Sequence, residues 1–150
     1  MKVKATGLSG FIGKELSIYL SNNLIDISKI ERKNIYNNKF FIEKCDCVIH
    51  LAGKAHDTKK YTSLGDYQES NFNLTKLLFE KFLTSKSKTF IYLSSIKVVD
   101  DEIKEVITEN SKLNPKTSYG LSKLNAEKYL LDRINNKTNK RSEEHTSELQ

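Results

Sequence analysis

The chain has 150 residues, enough for one domain with a real core, and is 37% hydrophobic and 29% charged, as soluble globular proteins are. It carries a formal charge of +6, but the lysines are scattered among asparagines and isoleucines, and no aromatic–basic or recognition-helix pattern accompanies them. A solvated surface is therefore expected rather than a nucleic-acid interface. No apolar run approaches the roughly 18 residues of a membrane helix, and "MKVKATGLSG" has no signal-type apolar segment. A cytoplasmic protein without a membrane partner is expected.

In chain order, "KVKATG" reads as a short strand entering a glycine turn. "FIGKELSIYLSNN" has Phe11, Ile12, Leu16, Tyr19 and Leu20 at helical spacing. "LIDISKI" alternates as a strand does, and residues 31–44 leave room for one helix. "CDCVIHLAG" is an apolar run of buried-strand type. Cys45 and Cys47 lack a second Cys/His pair at zinc spacing, so no metal is expected. They are expected to face opposite sides and stay free. His50 reads as a satisfied core histidine and His56 as part of a solvated loop.

Residues 67–83 are strongly periodic, with Phe72, Leu74, Leu77, Leu78 and Phe82 as the stripe. "KTFIYLSS" is another strand. A polar loop holding the only proline, Pro115, precedes "SYGLSKLNAEKYLLDRI", a helix with Leu121, Leu124, Tyr129, Leu130 and Ile134 as its stripe. Strands alternating with helices predict βαβ units and a doubly wound parallel α/β sheet, which binds ligands at the carboxyl ends of its strands.

The last ten residues, "RSEEHTSELQ", break with the lysine- and asparagine-rich chain before them and resemble the in-frame translation of a sequencing adapter. Residues 1–140 are taken as an incomplete domain and 141–150 as a non-native tail. Setting aside one arginine and three glutamates leaves 24 basic and 16 acidic residues, a net +8. The native protein is expected to continue beyond Lys140.

"TGLSGFIG" places Gly7, Gly10 and Gly13 at the end of the first strand. A glycine turn opening a helix lets backbone N–H groups approach a pyrophosphate, and the helix dipole favours its charge. This motif, with "VIHLAG", "NFNLTKLL", "FIYLSSIKVV" and "TENSKLNPKTSYGLSK" in order, resembles the N-terminal half of an extended short-chain dehydrogenase of the NAD-dependent epimerase/dehydratase family.

The resemblance implies a Rossmann-type sheet, truncated before its substrate domain, and an NAD cofactor held by Gly7, Gly10, Phe11, Ile12, Gly13, Leu51, Ala52, Gly53, Asn71, Ser94, Tyr119 and Lys123. It implies catalysis by Ser95, Tyr119 and Lys123 on a nucleotide-sugar, with Asn71 bracing the backbone. A 4-epimerase-like hydride transfer on a UDP-hexose or UDP-N-acetylhexosamine is expected, with "SSIKV" similar to members from surface-polysaccharide synthesis. A dehydratase or reductase, or a non-catalytic NAD-binding sensor, is the alternative. A homodimer through residues 67–83 and 118–134 is implied as well.

The residue types suit that chemistry. A phenol with a pKa of about 10 is a poor base at neutral pH, but a lysine one helical turn away stabilises its phenolate by charge. Tyr119 could then take a proton from a sugar hydroxyl and return it, with Ser95 orienting the reacting oxygen.

Four places depart from the family pattern. Lys4 puts a charge in a central strand, Val99-Asp100 replaces the usual turn, and Leu74 stands where glycine is usual. The short stretch before "VIHLAG" leaves strand three missing or vestigial. Asp26 and Glu31 are both candidates for the adenine ribose, and Arg32 could argue for a 2′-phosphate and NADP instead.

Overall fold

The computed structural model of the chain describes residues 1–55, 63–100 and 106–147, with side chains as far as Asn136. Its strands are β1 (Lys2–Thr6), β2 (Asp26–Lys29), β3 (Cys47–His50) and β4 (Thr89–Tyr92). They form one parallel sheet in the order β2-β1-β3-β4. The chain leaves β1 to one side for β2 and returns to the other for β3. That reversal opens a crevice at the carboxyl end of β1, the usual ligand site of doubly wound sheets. Among the described residues no strand lies beyond β2, as the short stretch before β3 led us to expect. One helical turn, α2 (Arg32–Ile35), and a loop fill that stretch.

The sheet has two apolar faces because successive strand residues alternate. On one face Val3, Ala5, Cys47 and Ile49 meet Leu20 of α1 (Phe11–Asn22), with Leu16 packed beside it. On the other, Val48 joins Ile30, Ile35, Ile42, Cys45, Leu74 and Leu78. The two cysteines do face opposite sides and are free. Strand geometry is not the reason, because residues two apart on a strand share a face. The strand begins only at Cys47, and Cys45 lies in the loop before it.

Residues 64–83 form one continuous helical run in three parts: α3 (Leu64–Tyr67), a π-helical segment (Gln68–Asn73) and α4 (Leu74–Leu83). Ser63 and Asp66 cap its start reciprocally, side chain to backbone at both ends. α5 (Ser118–Ser147) packs along it and passes through residues 141–147. Glu80 fastens the two helices, accepting from Arg133 Nε at 2.7 Å and Nη2 at 2.8 Å, and from the Tyr129 hydroxyl at 2.6 Å.

Several expected stripe residues are exposed. Phe11 is 84% and Tyr19 65% exposed, because α1 meets the sheet through Gly13, Leu16 and Leu20 instead. Lys4 is accommodated by running out to Glu43 at 2.7 Å, and Leu74 is buried in the α4-side core. At the far edge, Ile91 of β4 is 48% exposed and Leu93 just beyond it 39%. No helix among the described residues is long and apolar enough to cross a membrane.

Leu78 is fully buried, whereas Leu131 is 60% exposed. In urea denaturation Leu78→Ala should therefore lose about 3 kcal/mol, and Leu131→Ala less than about 0.5 kcal/mol.

Candidate active site

The crevice is built from glycines at the end of β1. Gly7 has φ +75°, and a Cβ there would stand 2.6 Å from the Ala52 nitrogen, so only glycine fits both backbone and neighbour. The Gly10 amide donates to the Gly7 carbonyl at 3.0 Å and Gly10 then caps α1. A Cβ on Gly13 would collide with that same carbonyl, which lets α1 sit close against the turn. The cradle is one a side chain would fill, and it fits a dinucleotide's pyrophosphate at a helix N-terminus.

A cleft of about 570 Å³ follows, lined among others by Gly7, Gly10, Leu51, Ala52, Gly53, Glu31 and Arg32. Phe11 and Ile12 do not line it; they stand exposed on the outer side of the first turn of α1. The register decides between the two acidic candidates. Asp26 pairs with Lys2 at the opposite end of the sheet, so it cannot reach the cleft. Glu31 lines it, paired with Lys29 at 2.8 Å, which holds its carboxyl below the usual range. Arg32 donates to Ser70 Oγ at 3.3 Å and lies over the Tyr36 ring.

Beyond β4 the chain runs through Leu93, Ser94 and Ser95 into a 3₁₀ turn, Ile96–Val98. Ser95 caps that turn, its Oγ accepting from the Lys97 amide at 3.3 Å. Ser94 Oγ is buried and has no hydrogen-bond partner among the described residues. Thr117 starts α5 by accepting the Gly120 amide at 3.1 Å. Gly120 is pressed on the 3₁₀ turn so closely that a Cβ would collide with the Lys97 carbonyl. The serine turn and the first turn of α5 are thus adjacent. Asp100 meets Lys116 at 3.1 Å and the Val99 carbonyl accepts from Asn114 at 2.9 Å, which closes the turn without the family's usual residues.

Tyr119 is half-buried, its ring 6.1 Å from that of Tyr67. One turn on, Lys123 is buried, with Nζ donating to the Leu93 carbonyl at 2.6 Å and lying 4.2 Å from the Tyr92 ring centre. Burial pushes its pKa down to about 8, against the opposing pull of Glu127. It is still mostly charged at neutral pH.

Asn71 lies outside the cleft lining, in the π-helical segment, and is buried. Its Oδ1 accepts from the Lys54 amide at 2.7 Å. Its Nδ2 donates to the Lys54 carbonyl at 3.0 Å and to Ser122 Oγ at 2.9 Å. Ser122 in turn donates to the Tyr119 carbonyl at 2.7 Å. The loop after β3 and the Tyr119 helix are therefore held by one side-chain amide.

His50 is a core histidine, as its strand position implied. It lies between Thr6 Oγ1 at 2.6 Å and Thr75 Oγ1 at 2.9 Å. His56 lies outside the described residues. Thr6, Thr75 and Ser122, all buried, were not singled out from the sequence. The available signal was polar residues at core-facing positions, as with Thr75 between Leu74 and Leu78.

Burial holds the His50 pKa down at about 3, below the ordinary 6.5. The unfolded chain therefore binds a proton that the folded chain refuses. Stability should fall as pH drops from about 6.5 toward 3, by up to about 1.4 kcal/mol per pH unit from this residue. His50→Gln should show a shallower fall over that window in urea titrations run at several pH values.

The sequence and the coordinates have known counterparts. The chain is 31% identical over 147 residues to a UDP-glucose 4-epimerase of Vibrio cholerae, covering 84% of this chain and 45% of that protein. It is 29% identical over 167 residues to a dTDP-D-glucose 4,6-dehydratase of Dictyostelium discoideum, covering 84% and 38%. Among solved structures it resembles RMD from Pseudomonas aeruginosa complexed with NADPH, with a TM-score of 0.72 and 26% identity over 87% of this chain and 48% of that one. The chain spans less than half the length of each. The profile of the NAD-dependent epimerase/dehydratase family matches residues 4–139, and the chain belongs to that family.

Proposed function

We propose that this chain is the cofactor-binding and catalytic half of an NAD-dependent nucleotide-sugar 4-epimerase or dehydrogenase, acting on a UDP-hexose or UDP-N-acetylhexosamine. The observation that carries the reading is the seating of Lys123 under the first turn of α5, on the Leu93 carbonyl at the end of β4, one turn from Tyr119. A buried ammonium at that place supplies the charge that favours a phenolate.

In this reading Tyr119 takes the proton of a sugar hydroxyl and later returns it, and Ser95 hydrogen-bonds the reacting oxygen. Lys123 steadies the charge and holds the nicotinamide ribose. The nicotinamide, when bound, accepts the hydride and gives it back. Gly7, Gly10 and the α1 amides of Phe11, Ile12 and Gly13 hold the pyrophosphate. Leu51, Ala52 and Gly53 lie against the adenosine side, and Ser94 stands on the cofactor side of Ser95. Glu31 takes the ribose hydroxyls, which favours NAD over NADP.

Ile96-Lys97 follows the serine where a 4,6-dehydratase needs an acidic pair, which supports the epimerase or dehydrogenase reading over that one. The working protein is cytoplasmic, continues past Lys140 into a substrate domain, and pairs with a second copy through residues 67–83 and 118–134. Residues 141–150 are foreign to it.

Tyr119→Phe in the full-length parent should lower kcat by at least about 10²-fold, a far larger effect than any on NAD affinity. Normal turnover in that variant would sink the mechanism.

A further inference from the structure

The contacts around His50 fix where each hydrogen lies. Thr75 Oγ1 donates to the Asn71 carbonyl at 2.5 Å. A hydroxyl has one hydrogen, so toward His50 Nε2, at 2.9 Å, Thr75 can only accept. Nε2 therefore carries the proton and Nδ1 is bare. Thr6 donates to Nδ1 at 2.6 Å, and its oxygen accepts the Ala52 amide at 3.1 Å.

The result is one chain of hydrogen bonds with a single direction. It runs from the Ala52 N–H through Thr6, across the imidazole and through Thr75 to the Asn71 carbonyl. Thr6, His50, Asn71 and Thr75 are each at most 1% exposed, so water cannot replace a broken link. One end is a cleft-lining loop and the other is the residue whose side chain holds Lys54 and Ser122.

We propose that His50 is a positioning residue. Held as the neutral Nε2–H tautomer between Thr6 and Thr75, it fixes the Ala52 amide of the cofactor cleft relative to Asn71, and through Asn71 the start of the Tyr119 helix. The opposite tautomer would turn the Thr75 hydrogen away from the Asn71 carbonyl to reach a bare Nε2, and would leave the Thr6 hydrogen without its ring acceptor. An imidazolium would present Nδ1–H to Thr6 and leave the buried Thr6 hydrogen without an acceptor on the ring. The groups facing the ring are uncharged or cationic: Thr6 from β1, Thr75 from α4, Phe90 and Tyr92 from β4, and the Lys123 ammonium from α5. They favour the neutral form.

The inference rests on the dinucleotide reading above for its functional consequence, and the test separates the two. Thr75→Val keeps the shape but removes the hydroxyl, while Thr75→Ser restores it. NAD affinity of each chain is measured by calorimetry at a temperature where all are folded by circular dichroism. In parallel, ¹⁵N-histidine NMR reads the His50 tautomer, and amide exchange reads Ala52, Lys54 and Ser122.

We expect Thr75→Val to bind NAD about tenfold more weakly and to exchange those amides faster, with Thr75→Ser close to wild type. The wild-type spectrum should show a protonated Nε2 and a bare Nδ1. A protonated Nδ1, or a folded Thr75→Val with wild-type exchange, overturns the proposal. A wild-type chain that binds no NAD overturns the dinucleotide reading, and the tautomer and exchange results still decide the role of His50. A merely space-filling His50 would let Thr75→Val lose stability without changing the exchange of those three amides in the folded chain.

Discussion

The arrangement of the site depends on the side-chain amide of Asn71. It is a buried polar group, and leaving one unsatisfied costs on the order of 1–3 kcal/mol. Its oxygen and nitrogen are all committed, to both backbone groups of Lys54 and to Ser122. Those commitments pin the loop after β3 to the first turns of α5. The π-helical segment makes the pinning possible, since a wider turn at Gln68–Asn73 re-aims a residue that a regular helix would point elsewhere. Gly53 permits the approach, because a Cβ there would stand 3.0 Å from the Asn71 oxygen.

Lys123 poses the opposite problem, a charge taken out of water. Burying an unpaired ammonium is costly, and the fold offsets it with a carbonyl at 2.6 Å and an aromatic face at 4.2 Å, without a direct carboxylate partner among the described residues. Cation–π contacts strengthen when desolvated. The residual cost is visible as the lowered pKa. A lysine poised this way responds to any new charge placed beside it, a property suited to a site where charge develops transiently.

Much of this was legible in the sequence because it rests on residue identity. Gly7 and Gly13 can only be glycine where they stand, and Tyr119 and Lys123 announce their shared face by spacing alone. What was not legible depends on three-dimensional register. Asp26 and Glu31 are equivalent as letters, and only the pairing of Asp26 with Lys2 removes one of them. Phe11, Ile12 and Tyr19 satisfied a helical stripe, yet α1 meets the sheet through a face containing Gly13, which no hydropathy pattern marks. The π-helical segment leaves no periodic signature over six residues. Thr6, Thr75 and Ser122 look like ordinary small polar residues until their hydroxyls are seen to face His50, Asn71 and Tyr119.

The outer margin of β4 has a practical consequence. A parallel sheet is normally covered on both faces, whereas here Ile91 and Leu93 stand partly in water on a strand that, among the described residues, has no strand paired on its outer side. Such a margin is a template on which another extended segment can add. For the isolated chain at high concentration, that margin is the place where a second copy could pair edge to edge.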